Sequence, residues 1–598
     1  MNDKIRNLSI IAHIDHGKST LSDRIMEQTE TVSNRETKAQ LLDDLDVEKE
    51  HGVTVKARAV RNMYHADDNQ TYEINLIDTP GHVDFSYEVS KSLKASDNAI
   101  LLVDATQGVQ AQTVANLRIA EEIGTKIIPV INKIDNPDVQ IDQVETEIRA
   151  LSPNLKNRQI LHVSAKTGQG VHELLEAIVT DMVAPVGDDD GPLSALIFDA
   201  YYDSFKGLIL YVRVFNGEIN PQDEFLLLSN NKTLKINEIG VLTPNRTPVS
   251  VLKSGEVGYL ITGIKDASVS YIGDTLTSKL LPTATPLAGY KPAQSMVFAG
   301  IYPNGAYLPM AKALKKLALN DTSLSLIEET SDALGPGFRA GFLGVFHLQI
   351  IKERLQKEFG VDVLVTYPNV TYHAFLKGEG QDFSIVTNPV HLPDFDQLVE
   401  IEEPMVQATI ITKSDTLSDV MALANAYQGV FIDMINQGQL VSLVYKMPLS
   451  KIVYTFFNKL KSISHGYASL ATEEIGYELA DVVRIDIHIN YARIDALTFI
   501  SHRQEVEQLT QKLVHQLKYA VPRRMYPMPV QAIVEGKVLA RVDVPPLRKN
   551  AAVNGKKQSI SKKQELLRRQ NVNKRQASRN DIELPQSVFN VMFNLDEE

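Results

Sequence analysis

Residues 7–20 read NLSIIAHIDHGKST. The apolar stretch with Leu8, Ile10 and Ile11 predicts a buried strand, Gly17-Lys18-Ser19-Thr20 closes a tight loop, and a helical pattern follows. Strand, loop and helix in that order are the context of a phosphate-binding loop, whose backbone N–H groups point inward at a polyphosphate. Lys18 is then placed to reach the β- and γ-phosphates of a nucleotide, and the Ser19 hydroxyl to sit on Mg²⁺. Asp15, His16, Gly17, Lys18, Ser19 and Thr20 are the candidate nucleotide-binding residues of this loop. It departs from the general pattern at its opening, where Ala12 stands in place of glycine.

Three further strand ends complete a site. Strand 74–77 runs into Asp78-Thr79-Pro80-Gly81-His82. A carboxylate there suits Mg²⁺ through water, and Gly81 lets a backbone N–H approach a γ-phosphate. Strand 126–131 runs into Asn132-Lys133-Ile134-Asp135. The Asp135 carboxylate accepts from guanine N1–H and the 2-amino group, a donor pair that adenine lacks; with the wrong base it is left buried and unpaired. The Lys133 stem lies over the base. Strand 160–163 runs into Ser164-Ala165-Lys166, whose backbone N–H groups suit guanine O6. Each motif is weak alone. Four in this order, each at the C-terminal end of a strand, point to an open α/β sheet that binds GTP. The polar stretch Glu48-Lys49-Glu50-His51-Gly52-Val53-Thr54 lies between the first two motifs and reads as mobile. Thr54 is the candidate second hydroxyl on Mg²⁺, ordered while the γ-phosphate is present. On spacing alone, a plain strand threonine competes with that reading, as simple backbone satisfaction competes for a histidine after Pro-Gly.

The 598 residues suggest roughly four domains. Absence of cysteine excludes disulfides and thiolate metal sites and fits a reducing compartment. No secretory core opens the chain, and no apolar run reaches about 18 residues, so the expectation is a soluble, cytoplasmic protein. The net charge of −13 argues at first against nucleic acid. Its distribution reverses that: between Pro545 and Arg579 only Glu565 opposes the Lys and Arg side chains, giving a segment of about +10 on a body of about −23. Ser561 with Gln564 forms a capping box for a basic helix, disordered in isolation and ordered on a polyanion.

Between the motifs, Asp188-Asp189-Asp190-Gly191-Pro192 reads as a linker. Short β-rich runs separated by turns such as Asn216-Gly217 and Ser254-Gly255 suggest a closed β-barrel. Two segments that mix strands with amphipathic helices (at 311–319 and 348–359, then at 415–428 and 449–463) fit ferredoxin-like α+β modules. Beyond them a strand-like alternation, a helical stretch at 505–519 and paired strands about Glu535-Gly536 precede the basic segment.

AHIDHGKST, DTPGH and NKID together resemble the translational GTPases. KPAQSMVFAGIYP (291–303), LNDTSLSL (319–326), GFRAGFLGVFHLQIIKERL (337–355), GYASL (466–470), RIDALTFISHR (493–503) and PLRKN (546–550) narrow the resemblance to the elongation factor 4 (LepA) family. Elongation factor G would carry a further domain where this chain has only residues 378–400, and would not end in a basic tail. The resemblance implies a multidomain α/β and β protein: a P-loop GTPase domain at 1–185, a translation-factor β-barrel at 191–287, ferredoxin-like domains at 291–378 and 400–478, and a family-specific C-terminal domain with a basic RNA-binding tail at 479–598. It implies GTP hydrolysis on the ribosome, one-codon backward movement of tRNAs on stalled or mistranslocated ribosomes, and fidelity under stress, by a monomer with some peripheral association with the cytoplasmic face of the membrane. His82 is implied to orient the attacking water, behind an apolar gate formed by Ile14 and Val53. Asp15 is implied to help hold a monovalent cation, K⁺, and Ser19 and Thr54 to ligate Mg²⁺. Arg548, Lys549, Lys556, Lys557, Lys562, Lys563, Arg568 and Arg569 are the candidate rRNA and tRNA contacts.

No arginine finger in cis stands out, so slow intrinsic turnover is expected, with the activator supplied in trans by rRNA. The chain departs from the family at His51, at His465 before GYASL, at Tyr491 where glycine is usual, and at Asn554-Gly555-Lys556-Lys557-Gln558. These departures leave room for a divergent paralogue. Two other readings compete: a GTP-timed ribosome-assembly factor, and a membrane-associated switch that uses the tail on anionic lipid. The tail's lack of an apolar face supports lipid only weakly.

Overall fold

The structure, a computed structural model, describes residues 3–32, 46–51, 54, 56, 58–81, 85–203, 205–264, 272–283, 285–287, 295–378, 382–437, 440–464, 468–524, 526–547 and 584–593. Val53, His82, His465, the stretch Asn554 to Gln558 and the eight basic candidates Arg548, Lys549, Lys556, Lys557, Lys562, Lys563, Arg568 and Arg569 lie outside the described residues.

The first domain alternates strand and helix: β1 (Ile5–Ala12), α1 (Lys18–Gln28), α2 (Asp46–His51), β2 (Arg58–His65), β3 (Thr71–Asp78), α3 (Ser86–Lys94), β4 (Asn98–Asp104), α4 (Ala111–Ile123), β5 (Lys126–Asn132), α5 (Ile141–Leu151), β6 (Leu161–His162) and α6 (Val171–Asp181). The sheet order is β2-β3-β1-β4-β5-β6, with only β2 antiparallel to its neighbour. Both faces of β1 are buried because its pleat feeds two cores. Leu8, Ile10 and Ala12 pack with Leu21 and Ile25 of α1 and Leu174 and Ile178 of α6, whereas Ile11 packs with Leu117 of α4 and Ile148 of α5. The sheet continues from β1 in opposite directions, so the loop after β1 lies at the topological switch point, where open α/β sheets bind ligands.

Residues 194–278 form an eight-stranded antiparallel sheet around one core, with Leu234, Val241 and Leu252 contributed from its far parts. Among the described residues no ladder joins its terminal strands, Thr233–Lys235 and Asn245–Pro248. An isolated antiparallel bridge between Ile219 and Leu252, with N–H···O bonds of 2.8 and 3.1 Å, and the shared side-chain core tie the far parts of the domain together. Two β-α-β-β-α-β units follow. The strands Val297–Pro303, Ser325–Ser331, Gly335–Phe342 and Val363–Val365 lie in spatial order 2-3-1-4. The strands Leu398–Lys413, Val430–Gln437, Leu440–Pro448 and Ser469–Leu479 repeat that order, and the hairpin Tyr372–Leu376/Phe383–Val386 pairs with the start of the first of them. The helix expected at 449–463 contains a π-helical turn at Ile452–Phe456, with Phe456 fully buried. In the last domain, strands Val482–Ile489, Met528–Val534 and Lys537–Val544 pack against the helix Val506–Ala520 and the terminal helix Gln586–Phe593. No helix of the described residues is long and apolar enough to cross a membrane.

Side chains join the domains. Arg213 of the β-domain is buried, pairs with Asp97 at 2.5 Å and lies over the Phe215 ring. Asn7 Nδ2 donates to the Gly255 carbonyl at 2.9 Å, and Arg61 bridges Glu73 and Glu256. Val47 of α2 and Phe85 at the start of α3 pack with Leu343 and Ile350 of the first α+β unit, and Lys357 pairs with Glu50. Ile411 of the second unit enters the core beneath α4.

Candidate functional site

The four motifs converge on one rim of the first sheet. The loop after β1 needs a backbone that few residues adopt: Asp15 has φ +64° and Gly17 φ +91°. Asp tolerates the left-handed region better than most residues. At Gly17 nothing else fits, because a Cβ would lie 2.4 Å from Asn132 Nδ2. The His16 side chain turns inward and is fully buried, and its Nδ1 accepts from the Asp104 N–H at 3.3 Å. Burial pushes its pKa down to about 4, so the ring is neutral at pH 7. His16 therefore offers a ligand its backbone and not its imidazole.

The base side of the site is internally bonded. Asn132 Nδ2 donates to the His16 carbonyl and its Oδ1 accepts from the Ala165 N–H, both at 2.9 Å, so one amide ties the first loop to the last. Lys133 is left-handed at φ +65°, an uncommon state for a long side chain. Its Nζ donates to the Asp15 carbonyl at 2.6 Å and pairs with Asp104 at 2.7 Å. Asp104 is fully buried, and its other oxygen accepts from the Thr106 N–H and hydroxyl at 2.7 Å. Bonds to Lys133 and Thr106 outweigh desolvation and hold its carboxyl below the usual carboxylate range. Ser164 Oγ donates to Asp135 Oδ1 at 2.7 Å and aims that carboxylate. Arg24 of α1 donates to the Ala165 and Lys166 carbonyls and braces the loop from behind.

The expectation of a row of amides for guanine O6 narrows here. The Ser164 N–H is held by the Gln169 carbonyl and the Ala165 N–H by Asn132, which leaves Lys166 as the candidate amide. Asp104 and Arg24 escaped the sequence reading. The only signal for Asp104 is a carboxylate at the end of the strand Asn98–Asp104, the pattern already read at Asp78.

The phosphate side is bonded differently. Lys18 Nζ donates to Thr54 Oγ1 and Asp78 Oδ1, both at 2.8 Å, and to the Thr79 carbonyl. Thr54 Oγ1 lies 3.3 Å from Asp78 Oδ2, and both residues are buried. A cation thus already sits between two of the oxygen groups read as Mg²⁺ partners, and hard oxygen donors are what Mg²⁺ selects, so the donor set fits the ion. Ser19 opens α1 beside Lys18, and Ile14 is half-buried in the loop. At Gly81 a Cβ would stand 3.7 Å from the Ala12 carbonyl, an ordinary contact. Among the described residues, packing alone does not demand glycine there.

Comparisons with known proteins agree with this geometry. The family model described as "Elongation factor Tu GTP binding domain" matches residues 3–184, "Elongation factor G C-terminus" matches 400–487, and "GTP-binding protein LepA C-terminus" matches 489–594. A Lactiplantibacillus plantarum protein named "Elongation factor 4 2" is 56% identical over 592 residues, covering 99% of each chain. A Streptococcus pneumoniae "Elongation factor 4" is 46% identical over 602 residues, covering 100% of this chain and 98% of the relative. A crystal structure of a Thermus thermophilus protein shares the fold at TM-score 0.57 and 17% identity, over 80% of this chain and 97% of that one. With all four motifs gathered on one rim and relatives aligned from end to end, the chain belongs to the elongation factor 4 family of GTP-hydrolysing translational GTPases.

Proposed function

We propose that this protein hydrolyses GTP in response to the ribosome, moves tRNAs one codon backward on stalled or mistranslocated ribosomes, and so supports fidelity under stress. The observation that carries the nucleotide reading is the Ser164-held Asp135 carboxylate beside the Asn132 tie, an acceptor aimed before any base arrives. Phosphoryl transfer asks for positioning and charge stabilisation more than for covalent help. Lys18 supplies charge to the β- and γ-phosphates by exchanging its bonds to Thr54 and Asp78 for phosphate oxygens. Ser19 and Thr54 would hold Mg²⁺, with Asp78 behind it, and the bound ion would supply positive charge to the phosphates. His82, following the Asp78 turn, orients the attacking water, gated by Ile14 and Val53. Asp15 contributes to a K⁺ site. Arg548, Lys549, Lys556, Lys557, Lys562, Lys563, Arg568 and Arg569 contact rRNA and tRNA phosphates, and the protein associates peripherally with the cytoplasmic face of the membrane.

The test is GTP turnover of wild type and His82→Ala with 70S ribosomes, immature small-subunit particles and anionic vesicles, together with mapping of ribosome position on mRNA. Stimulation by 70S ribosomes, lost in the variant at unchanged GTP affinity, and a one-codon backward shift support the proposal. Stimulation by immature particles alone favours an assembly role, and stimulation by vesicles alone a membrane switch.

A further inference from the structure

The first α+β sheet has two unlike faces. Phe338, Ala340 and Phe342 point into its helix-covered core, so Arg339, between them on the same strand, points to the other face. Gly337 and Gly341 flank Arg339 on that face, and Gly300 is its cross-strand partner. A Cβ at Gly337 would lie 2.4 Å from the Tyr302 ring, and one at Gly300 would lie 2.7 Å from it. Gly300 and Gly337 thus make room for the Tyr302 ring beside the arginine, and Gly341 for the Ser295 and Ser325 hydroxyls.

Arg339 is only 6% exposed, yet its guanidinium makes a single hydrogen bond among the described residues, from Nε to Glu329 Oε2 at 3.1 Å. Nη1 is fully enclosed without an acceptor. Buried donors are nearly always paired, and a guanidinium carries more of them than any other side chain. The nearby carboxylates do not make up the deficit. Glu329 also accepts from the Tyr302 hydroxyl at 2.6 Å and from Asn388 Nδ2 at 3.0 Å. Asp495 accepts from the Ser331 hydroxyl and the Asp332 amide at 2.7 Å and from the Ala496 amide at 2.8 Å. Each acid is supplied with donors of its own, and the arginine is left with donors to spare.

Beside it lies a cavity of about 40 Å³ where the sheet meets the short helix Pro389–His391 and the C-terminal domain. Thr330, Thr366, Asn369, His391 and Thr498 are in its wall, together with Asp495, whose oxygens are taken up by the Ser331, Asp332 and Ala496 donors. Thr366 Oγ1 already accepts from the Gly300 N–H at 2.8 Å, so its hydroxyl hydrogen is available to donate. The space holds roughly three waters or one tetrahedral oxyanion.

We propose that this cavity is a phosphate-binding site, with Arg339 and Thr366 donating to oxygens of one phosphoryl group. A planar guanidinium with free N–H groups is the side chain best matched to phosphate. None of these residues belongs to the nucleotide site, and the proposal does not rest on the GTP reading.

The experiment uses the full chain saturated with Mg²⁺ and a non-hydrolysable GTP analogue, so that the first phosphate loop is filled. Inorganic phosphate is titrated against NaCl at matched ionic strength, following thermal unfolding and the ³¹P resonance. The expected result is a saturable rise in Tm with phosphate alone. In the double variant Arg339→Met/Glu329→Gln, which removes the charge together with its partner, phosphate affinity should fall at least tenfold while affinity for the GTP analogue is unchanged. Dimethyl phosphate separates two sources that support the site equally: binding of the diester identifies a nucleic-acid backbone, and binding of inorganic phosphate alone identifies free phosphate or a terminal monoester. No saturable shift in wild type, or equal binding in the double variant, overturns the proposal and leaves the cavity to water.

Discussion

The two halves of the nucleotide site are bonded in opposite ways. On the base side Asn132, Lys133 and Asp135 are each held by a neighbour, Asn132 by the His16 carbonyl and the Ala165 amide, Lys133 by Asp15 and Asp104, and Asp135 by Ser164. None of these partners would have to leave for the guanine contact proposed for Asp135. On the phosphate side Lys18, Thr54 and Asp78 hold one another, and those bonds occupy groups that phosphate and Mg²⁺ would use. A base reader gains from rigidity, because a preformed acceptor discriminates without reorganisation. A phosphate sensor gains from bonds it can exchange, because only then does nucleotide state alter the backbone near Thr54.

The largest expected effect falls on the base side. Asp135→Asn keeps an acceptor for Ser164 but inverts the donor pattern offered to the base, so preference should move from GTP to XTP by about 10³-fold or more, read by competitive nucleotide titration. Gly17→Ala strikes the joint between the halves, since its Cβ would displace Asn132 and strain a left-handed backbone. GTP and GDP affinity should both fall about 10²-fold or more, as measured by calorimetry.

His16 gives a test that needs no substitution. Its folded-state pKa of about 4 lies below the ordinary 6.5, so the unfolded chain binds more protons between those values. Stability from the buried neutral ring is therefore complete above about pH 6.5 and is lost as pH falls toward 4. The loss should be roughly 2–3 kcal/mol in urea unfolding, and His16→Asn should flatten it.

Asp104→Asn should release Lys133 and weaken GTP and GDP alike, by about tenfold, with kcat unchanged. Thr54→Val should weaken GTP severalfold while leaving GDP as it was. If the last two variants proved indistinguishable between the two nucleotides, the contrast between a rigid and an exchangeable half would be broken.

How far the sequence can be read depends on how local each feature is. The loops after β1, β3 and β5 were legible because an apolar strand, a turn and a polar cluster sit within about fifteen residues of one another. The paired strands about Glu535-Gly536 likewise follow from short-range alternation, whereas the α+β units are expected as ferredoxin-like modules from mixed strands and helices and from the resemblance, and their 2-3-1-4 order is a long-range outcome of the structure. Tyr491 stood out by resemblance as a replaced glycine, and the backbone explains why. Asn490 and Tyr491 have φ +54° and +67°, the left-handed pair of a tight hairpin, and Arg541 lies over the tyrosine ring. The π-helical turn at Ile452–Phe456 was not legible, because it inserts into an otherwise regular helical pattern without a marker residue.

By itself the sequence placed a phosphate loop, a candidate guanine-reading aspartate and their order along an alternating α/β segment in one GTP-binding domain, because spacing along a strand-loop-helix unit is enough to bring those groups to one rim. Only the tertiary structure decided that Asp104 would hold Lys133, that Asn132 would tie two loops, and that Arg339 would be buried with donors unspent. Those outcomes depend on which side chains meet across sheets and domains, and the register that brings distant segments together leaves no trace in the spacing of either one.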